Sequence, residues 1–195
     1  MKYNVITISR ELGSGGRYIG EELAKKLNVS FYDSQIISKV AEETGFAEDF
    51  VQQAGEYSPF KSIFSYSLVT RDYSGSSLED YVYSVQRKLI LELAEKGPCV
   101  IVGRCADYIL SERTDCLNVF VHGNIEDKVV RVMKYKNIGE KEARRLIKDT
   151  DKRRRVNYNY YTDRQWGKSQ NYDICLNSTS LGTDNCVNIL YDMVK

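Results

Sequence analysis

Residues 9–17 read Ser-Arg-Glu-Leu-Gly-Ser-Gly-Gly-Arg, preceded by the apolar run Val5 to Ile8 and followed by Ile19, Leu23 and Leu27 at helical spacing. Strand, glycine loop and helix in that order make a device for holding phosphate. Backbone N–H groups at the helix start have no intrahelical acceptor, and the helix dipole adds positive potential there. In the common phosphate loop GxxxxGK[ST], the glycines let the backbone wrap the anion, the lysine reaches the outer phosphates and the hydroxyl holds Mg²⁺. Laid on that pattern, Gly16 and Arg17 take the Gly-Lys slots, Glu11 replaces the first glycine and Tyr18 the hydroxyl residue. Arg17 keeps the charge in a bulkier, forked form. Ser14 is the nearest small hydroxyl for a metal, and Arg10 is a second cation at the loop entrance.

Two further groups carry chemistry. Asp33-Ser34 ends the short apolar run Ser30 to Tyr32, and Gly103-Arg104 ends the run Cys99 to Val102. In open parallel sheets ligands bind beyond the carboxyl ends of the strands, so these pairs and the glycine loop should share one crevice. A carboxylate with a hydroxyl reads a sugar or base, and an arginine forks onto a phosphate; the plainer alternative is a helix cap and a structural ion pair. The third group is Arg153-Arg154-Arg155, with Arg144 and Arg145 upstream. Phosphoryl transfer gathers negative charge that such cations stabilise. A charge run is more often a solvated helix face, and Asp149 and Asp151 partly neutralise this one. His122 has no second histidine with which to bind a metal and reads as structural. Cys99 and Cys175 read as small core residues.

The elements that must position these groups alternate. Strand patterns at Val5–Ile8, Ser30–Tyr32, Cys99–Val102, Leu117–Val121 and Ile174–Leu176 are separated by helical stripes. Ser34 is expected to cap the helix carrying Ile36, Ile37 and Val40. Another helix carries Val82, Val85, Leu89 and Leu93 and stops at Gly97-Pro98; a long polar helix runs from Glu140 to Tyr161, and Val187, Leu190 and Met193 mark a closing one. Tyr57 to Asp80, rich in Ser and Tyr, reads as a mobile or substrate-covering insertion.

The 195 residues suffice for one substantial core. Twenty-eight basic and 27 acidic residues leave a net charge of +1, which disfavours an extended nucleic acid as partner. Five cysteines without a CxxC pair fit a reducing compartment, and no apolar run of about 18 residues suggests a membrane span. A cytoplasmic location is expected.

These residues resemble the bacterial cytidylate kinase-like family. The resemblance is carried by Ile8-Ser9-Arg10 with Gly13 to Arg17, Phe31-Tyr32-Asp33, Val100 to Asp107, Asp151-Lys152 with Arg154, Tyr158, Thr162 and Trp166, and Tyr172-Asp173 leading to Leu176-Asn177-Ser178. It implies a three-layer α/β P-loop kinase fold over residues 1–195, with a parallel sheet of about five strands and helices on both faces. A helical monophosphate-side insertion is implied at about 45–85 and an arginine-bearing lid at about 150–170. The implied activity is transfer of the γ-phosphate of ATP, with Mg²⁺, to CMP or dCMP. By position, Gly13 to Arg17 would hold ATP phosphates, Asp33 and Ser34 would lie at the monophosphate site and Arg104 would grip its phosphate. Arg153 and Arg154 would belong to the lid, and Asn177 would sit near the adenine. The chain departs from true cytidylate kinases at Arg17, where they have lysine, and at Val102, where they have an acidic residue that organises the metal. Two other readings fit the same residues: a nucleotide-binding sensor or subunit without turnover, and a kinase of another small phosphorylated acceptor.

Overall fold

The computed structural model describes residues 2–54 and 77–195. Within them β1 (Val5–Arg10), β2 (Ser30–Tyr32), β3 (Cys99–Val102), β4 (Cys116–His122) and β5 (Ile174–Asn177) form one parallel sheet. The strand order is β2-β3-β1-β4-β5. The central strands are apolar on both sides because both faces are covered. Ile6, Ile8, Val100, Val102, Leu117, Val119 and Val121 pack beneath α1 (Gly16–Leu27) and α9 (Thr183–Val194). The alternate positions Val5, Cys99, Ile101 and Cys116 face α2 (Ser34–Thr44), α3 (Glu48–Ala54), α4 (Leu78–Glu95) and α5 (Ala106–Ile109).

The connection from β1 leads to β2, whereas that from β3 leads past β1 to β4. Adjacent strands whose connections diverge open a crevice at their carboxyl ends. Arg10 and Gly103-Arg104 stand on its two sides.

A third apolar cluster joins α6 (Ile125–Lys136) to α7 (Glu140–Thr162) through Val129, Val132, Ala143 and Ile147, and Leu12 of the glycine loop packs against it. The loop is thus buttressed from outside the sheet by two helices.

All five strands stand where the apolar runs place them, with β1 reaching two residues further, to Arg10. Ser34 does not cap α2. It is the first helical residue, and Asp33 holds the cap position without a side-chain cap bond because its carboxylate faces two arginines. At α4 the cap is a reciprocal box: Asp80 N–H donates to Ser77 Oγ at 3.1 Å, and Ser77 N–H to Asp80 Oδ2 at 3.3 Å. Most of the Tyr57 to Asp80 segment lies outside the described residues, as does the middle of the expected 45–85 insertion. Residues 150–162, expected in the lid, are the last turns of α7, which ends at Asp163 in the left-handed region (φ 52°). Cys99 is buried, and Cys175 on the edge strand β5 is half-buried.

Candidate active site

The glycine loop leaves β1 at Arg10 and enters α1 through Gly15, with no side chain capping the helix. Gly13 is required for two reasons: its φ is +80°, and a Cβ there would fall 2.7 Å from the Lys128 carbonyl oxygen. Ser14 is fully buried, and its Oγ donates to the Glu11 carbonyl at 2.8 Å, so the hydroxyl considered for a metal is turned into the loop. Arg131 clamps the far side. Its Nη1 donates to the Gly13 carbonyl at 3.1 Å and to Ser178 Oγ at 3.2 Å. The Asn177-Ser178-Thr179 turn is thereby held beside the loop, with Asn177 Oδ1 accepting from the Thr179 and Ser180 N–H groups to cap α8 (Ser178–Leu181).

The other side of the crevice is cationic. Arg17, in the first turn of α1, extends outward, and its Nε lies 2.7 Å from Asp33 Oδ2. Arg10 Nη2 lies 3.8 Å from Asp33 Oδ1, so the carboxylate sits between two guanidinium groups. Ser34 is exposed beside it. Arg10 reaches this position by passing over Gly103, where a Cβ would overlap the guanidinium.

Gly103, Arg104 and Cys105 take successive left-handed conformations, with φ of 75°, 59° and 55°. For the two non-glycine residues this costs roughly 1–2 kcal/mol each. The turn is held by Gly103 N–H on the Ile8 carbonyl (3.0 Å), Ala106 N–H on the Gly103 carbonyl (3.1 Å) and Gln86 Nε2 on the Arg104 carbonyl (3.3 Å). The result is a cavity of about 50 Å³ at the ends of β1 and β3, with Arg10, Arg104 and Arg154 in its wall alongside Ser9, Tyr158 and Trp166. Three cations, from the end of β1, the turn after β3 and α7, converge there. Arg153 is turned differently, its Nη2 donating to Thr150 Oγ1 at 3.0 Å, because successive residues of α7 point about 100° apart.

Beneath this cavity Asp107, only 2% exposed, accepts from Tyr158 Oη at 2.6 Å and from Ser9 Oγ at 3.3 Å. Burial pushes its carboxyl above the ordinary range, and the two donors pull the other way. Burial and the neighbouring Asp107 likewise raise the Tyr158 phenol. Trp166 packs edge-on against Phe120, ring centroids 5.3 Å apart.

A model of the cytidylate kinase-like family matches residues 5–180. The chain belongs to that family. A crystal structure of an uncharacterized protein from Eubacterium ventriosum ATCC 27560 is 28% identical, with 97% of each chain covered and a TM-score of 0.75. The shikimate kinase of Bacteroides thetaiotaomicron (17% identity, 97% of each chain, TM-score 0.55) and that of Acinetobacter baumannii in complex with shikimate (13%, 98% of this chain and 93% of that one, 0.56) share the fold. No curated protein matches the chain. Among its described residues the cytidylate kinase-like chain therefore has the three-layer architecture of P-loop kinases, five parallel strands with helices on both faces.

Against that family background, the expected phosphate-side residues run from the end of β1 (Arg10) through the loop (Gly13, Ser14, Gly15) into the first turn of α1 (Gly16, Arg17), and Asp33 and Arg104 flank the same crevice. Asn177 lies on the opposite side, at the end of β5. Three contributors receive no site role from the sequence, although the first two are among the residues that carry the family resemblance: Asp107 under the cavity, Tyr158 in its wall, and Lys128 behind the loop. Lys128 does carry a legible signal. It interrupts the apolar stripe of α6 next to Val129 and Val132, a place where a lysine needs buried partners.

Proposed function

We propose that the chain transfers the γ-phosphoryl group of ATP to a small acceptor that carries its own phosphate, a nucleoside monophosphate of which CMP or dCMP is the first choice. The observation that carries this reading is the convergence of Arg10, Arg104 and Arg154 on one cavity beside the glycine loop. A single phosphate monoester is the size and charge of ligand that three guanidinium groups suit. Asp33, held beside Arg10, would accept from a sugar hydroxyl or base amine.

ATP phosphates would lie on the N–H groups at the start of α1. A phosphate oxygen of the acceptor attacks the γ-phosphorus, the bond to the bridging oxygen of ADP breaks, and the arginines stabilise the spread negative charge. Little covalent work is asked of the protein. Among the described residues no cluster of His, Cys, Asp and Glu is placed to hold a metal, Val102 occupies the position of the family acid, and the Ser14 hydroxyl is turned inward. These groups do not make a resident metal site. Mg²⁺ therefore enters as part of the MgATP substrate, held chiefly by phosphates and water. No described helix is long and apolar enough to cross a membrane. We place the reaction in the cytoplasm.

Measuring ADP release against a panel of monophosphates, with and without Mg²⁺, tests the reading; saturable turnover with CMP above all others is expected. One observation favours a second reading, a nucleotide-binding module without turnover. Arg17 engages Asp33, away from the loop axis. Tight ATP binding with no turnover of any acceptor would establish the module instead.

A further inference from the structure

We propose that Lys128 is a positioning residue of the phosphate loop, locking the loop's first half to α7 so that the loop amides and Arg154 keep a fixed spacing. The proposal rests in part on the kinase reading, but its geometry stands apart from it. Lys128 is 6% exposed, and its Nζ donates to Glu11 Oε2 at 2.8 Å and to Asp151 Oδ2 at 3.2 Å. Glu11 is a loop residue and Asp151 belongs to α7. The second oxygen of Asp151 accepts the Leu12 N–H at 2.7 Å, a direct bond from helix to loop.

Arg154 stands one turn beyond Asp151. Its Nη1 donates to the Arg10 carbonyl at 3.2 Å and lies 3.8 Å from Asp151 Oδ1, while its guanidinium lines the cavity. The turn of α7 that grips the loop therefore also presents a cation to the acceptor side. Glu11 Oε2 further accepts the Gly123 N–H at 3.3 Å, and Gly13 turns directly over the Lys128 backbone.

Two carboxylates and two cations balance in this cluster. Without Lys128, Glu11 and Asp151 would lose their shared cation close to where phosphates are to bind. Val129 and Val132 beside it pack into an ordinary apolar contact, and well-packed aliphatic residues commonly stabilise such a place as well as a buried ion pair does. Breaking the pair by removing one partner is what damages a structure. What an ion cluster supplies that aliphatics do not is directional contact to particular backbone groups, here those of Leu12 and Gly123.

The test is amide hydrogen exchange on the full chain, with ATP affinity measured in parallel, for wild type, Lys128→Met, Lys128→Arg and Glu11→Gln. In Lys128→Met, exchange at Leu12 and Ser14 should quicken about tenfold or more while β1 and β4 keep their protection. Lys128→Arg should restore most of it, Glu11→Gln should quicken it about threefold, and ATP affinity should fall in the same order. Loop exchange within about twofold of wild type in folded Lys128→Met, or equal acceleration throughout the sheet, would overturn the proposal. If Lys128→Met does not fold, Glu11→Gln decides by the same two outcomes. Wild-type protein that binds no ATP would sink the kinase reading, and the exchange results would still decide the role of Lys128.

Discussion

Arg17 Nε and Asp33 Oδ2 stand 2.7 Å apart, so the cation in the first turn of α1 is turned across the crevice toward the end of β2. The Arg17 side chain is 63% exposed and Asp33 17% exposed. An ion pair with one partner that open to solvent contributes no more than about 1 kcal/mol. A dianionic phosphate arriving on the loop can draw Arg17 away at little cost. Arg17→Ala is expected to lower kcat by about a hundredfold with a smaller change in acceptor KM. Unchanged turnover in a steady-state assay would remove Arg17 from the chemistry.

Asp33→Asn separates the two duties of this pair. The amide keeps an acceptor oxygen but gives up the charge that faces Arg10 and Arg17. Acceptor KM should rise about tenfold while the KM for ATP moves less than about threefold. Equal changes in both constants would show that Asp33 serves the loop as a whole.

Arg153 and Arg154 are neighbours in sequence but are turned to different partners. Arg154 lines the cavity and bonds the Arg10 carbonyl; Arg153 bonds Thr150. Arg154→Gln should weaken acceptor binding by about ten- to a hundredfold, and Arg153→Gln by less than about threefold. The reverse ranking in titrations with CMP would mean that α7 turns when substrate binds.

The strands were legible because the apolar runs of β1, β3 and β4 are buried on both faces, and burial is what selects such runs. The helices α3, α5 and α8 were not, since seven, four and four residues are too few to show a helical period. At the candidate site, Asp33 and Arg104 were legible because they follow strand ends, where parallel sheets place ligands, and Arg10 because it stands at the entrance of the glycine loop. The direction in which each side chain points was hidden. Nothing in the order Asp33-Ser34 says that Arg17 will take the carboxylate and leave the helix cap unfilled, because that choice depends on a tertiary neighbour. The Asp107–Tyr158 contact joins residues 51 apart and is likewise invisible to local pattern.

Asp107 should make the protein's stability depend on pH in a distinctive direction. Its carboxyl is raised in the folded state above the ordinary 3.8, so across that interval the folded chain binds more protons than the unfolded one. Stability supplied by this group is full below 3.8 and declines as pH rises toward the folded value. Tyr158 Oη and Ser9 Oγ donate to separate oxygens of Asp107, so Asp107→Asn keeps an acceptor for one of them, loses the other at every pH, and removes the titration. The difference between wild-type and Asp107→Asn unfolding free energies, from urea titrations at pH 4 to 8, should therefore move against the wild type with rising pH. The slope should approach about 1.4 kcal/mol per pH unit until the folded carboxyl ionises. A flat difference would mean that Asp107 ionises in the fold as it does in the unfolded chain.

Trp166 offers a direct view of the arginine-lined cavity proposed to take the acceptor. It is the one tryptophan in the chain and stands in the cavity wall with Arg104 and Arg154. A monophosphate that settles among the arginines changes the polarity around the indole, so CMP should alter its emission saturably. Cytidine lacks the phosphate and offers the three guanidinium groups no anion, so its affinity should be lower by about a hundredfold or more. Gly103→Ala supplies the structural control. A Cβ at φ +75° is strained, and it would overlap the Arg10 guanidinium. Displacing Arg10 should abolish most of the discrimination between CMP and cytidine, while thermal unfolding records a loss of only about 1–3 kcal/mol. If CMP and cytidine give the same curve in the wild-type protein, the arginine cavity is not the phosphate site, and the acceptor must bind elsewhere in the crevice.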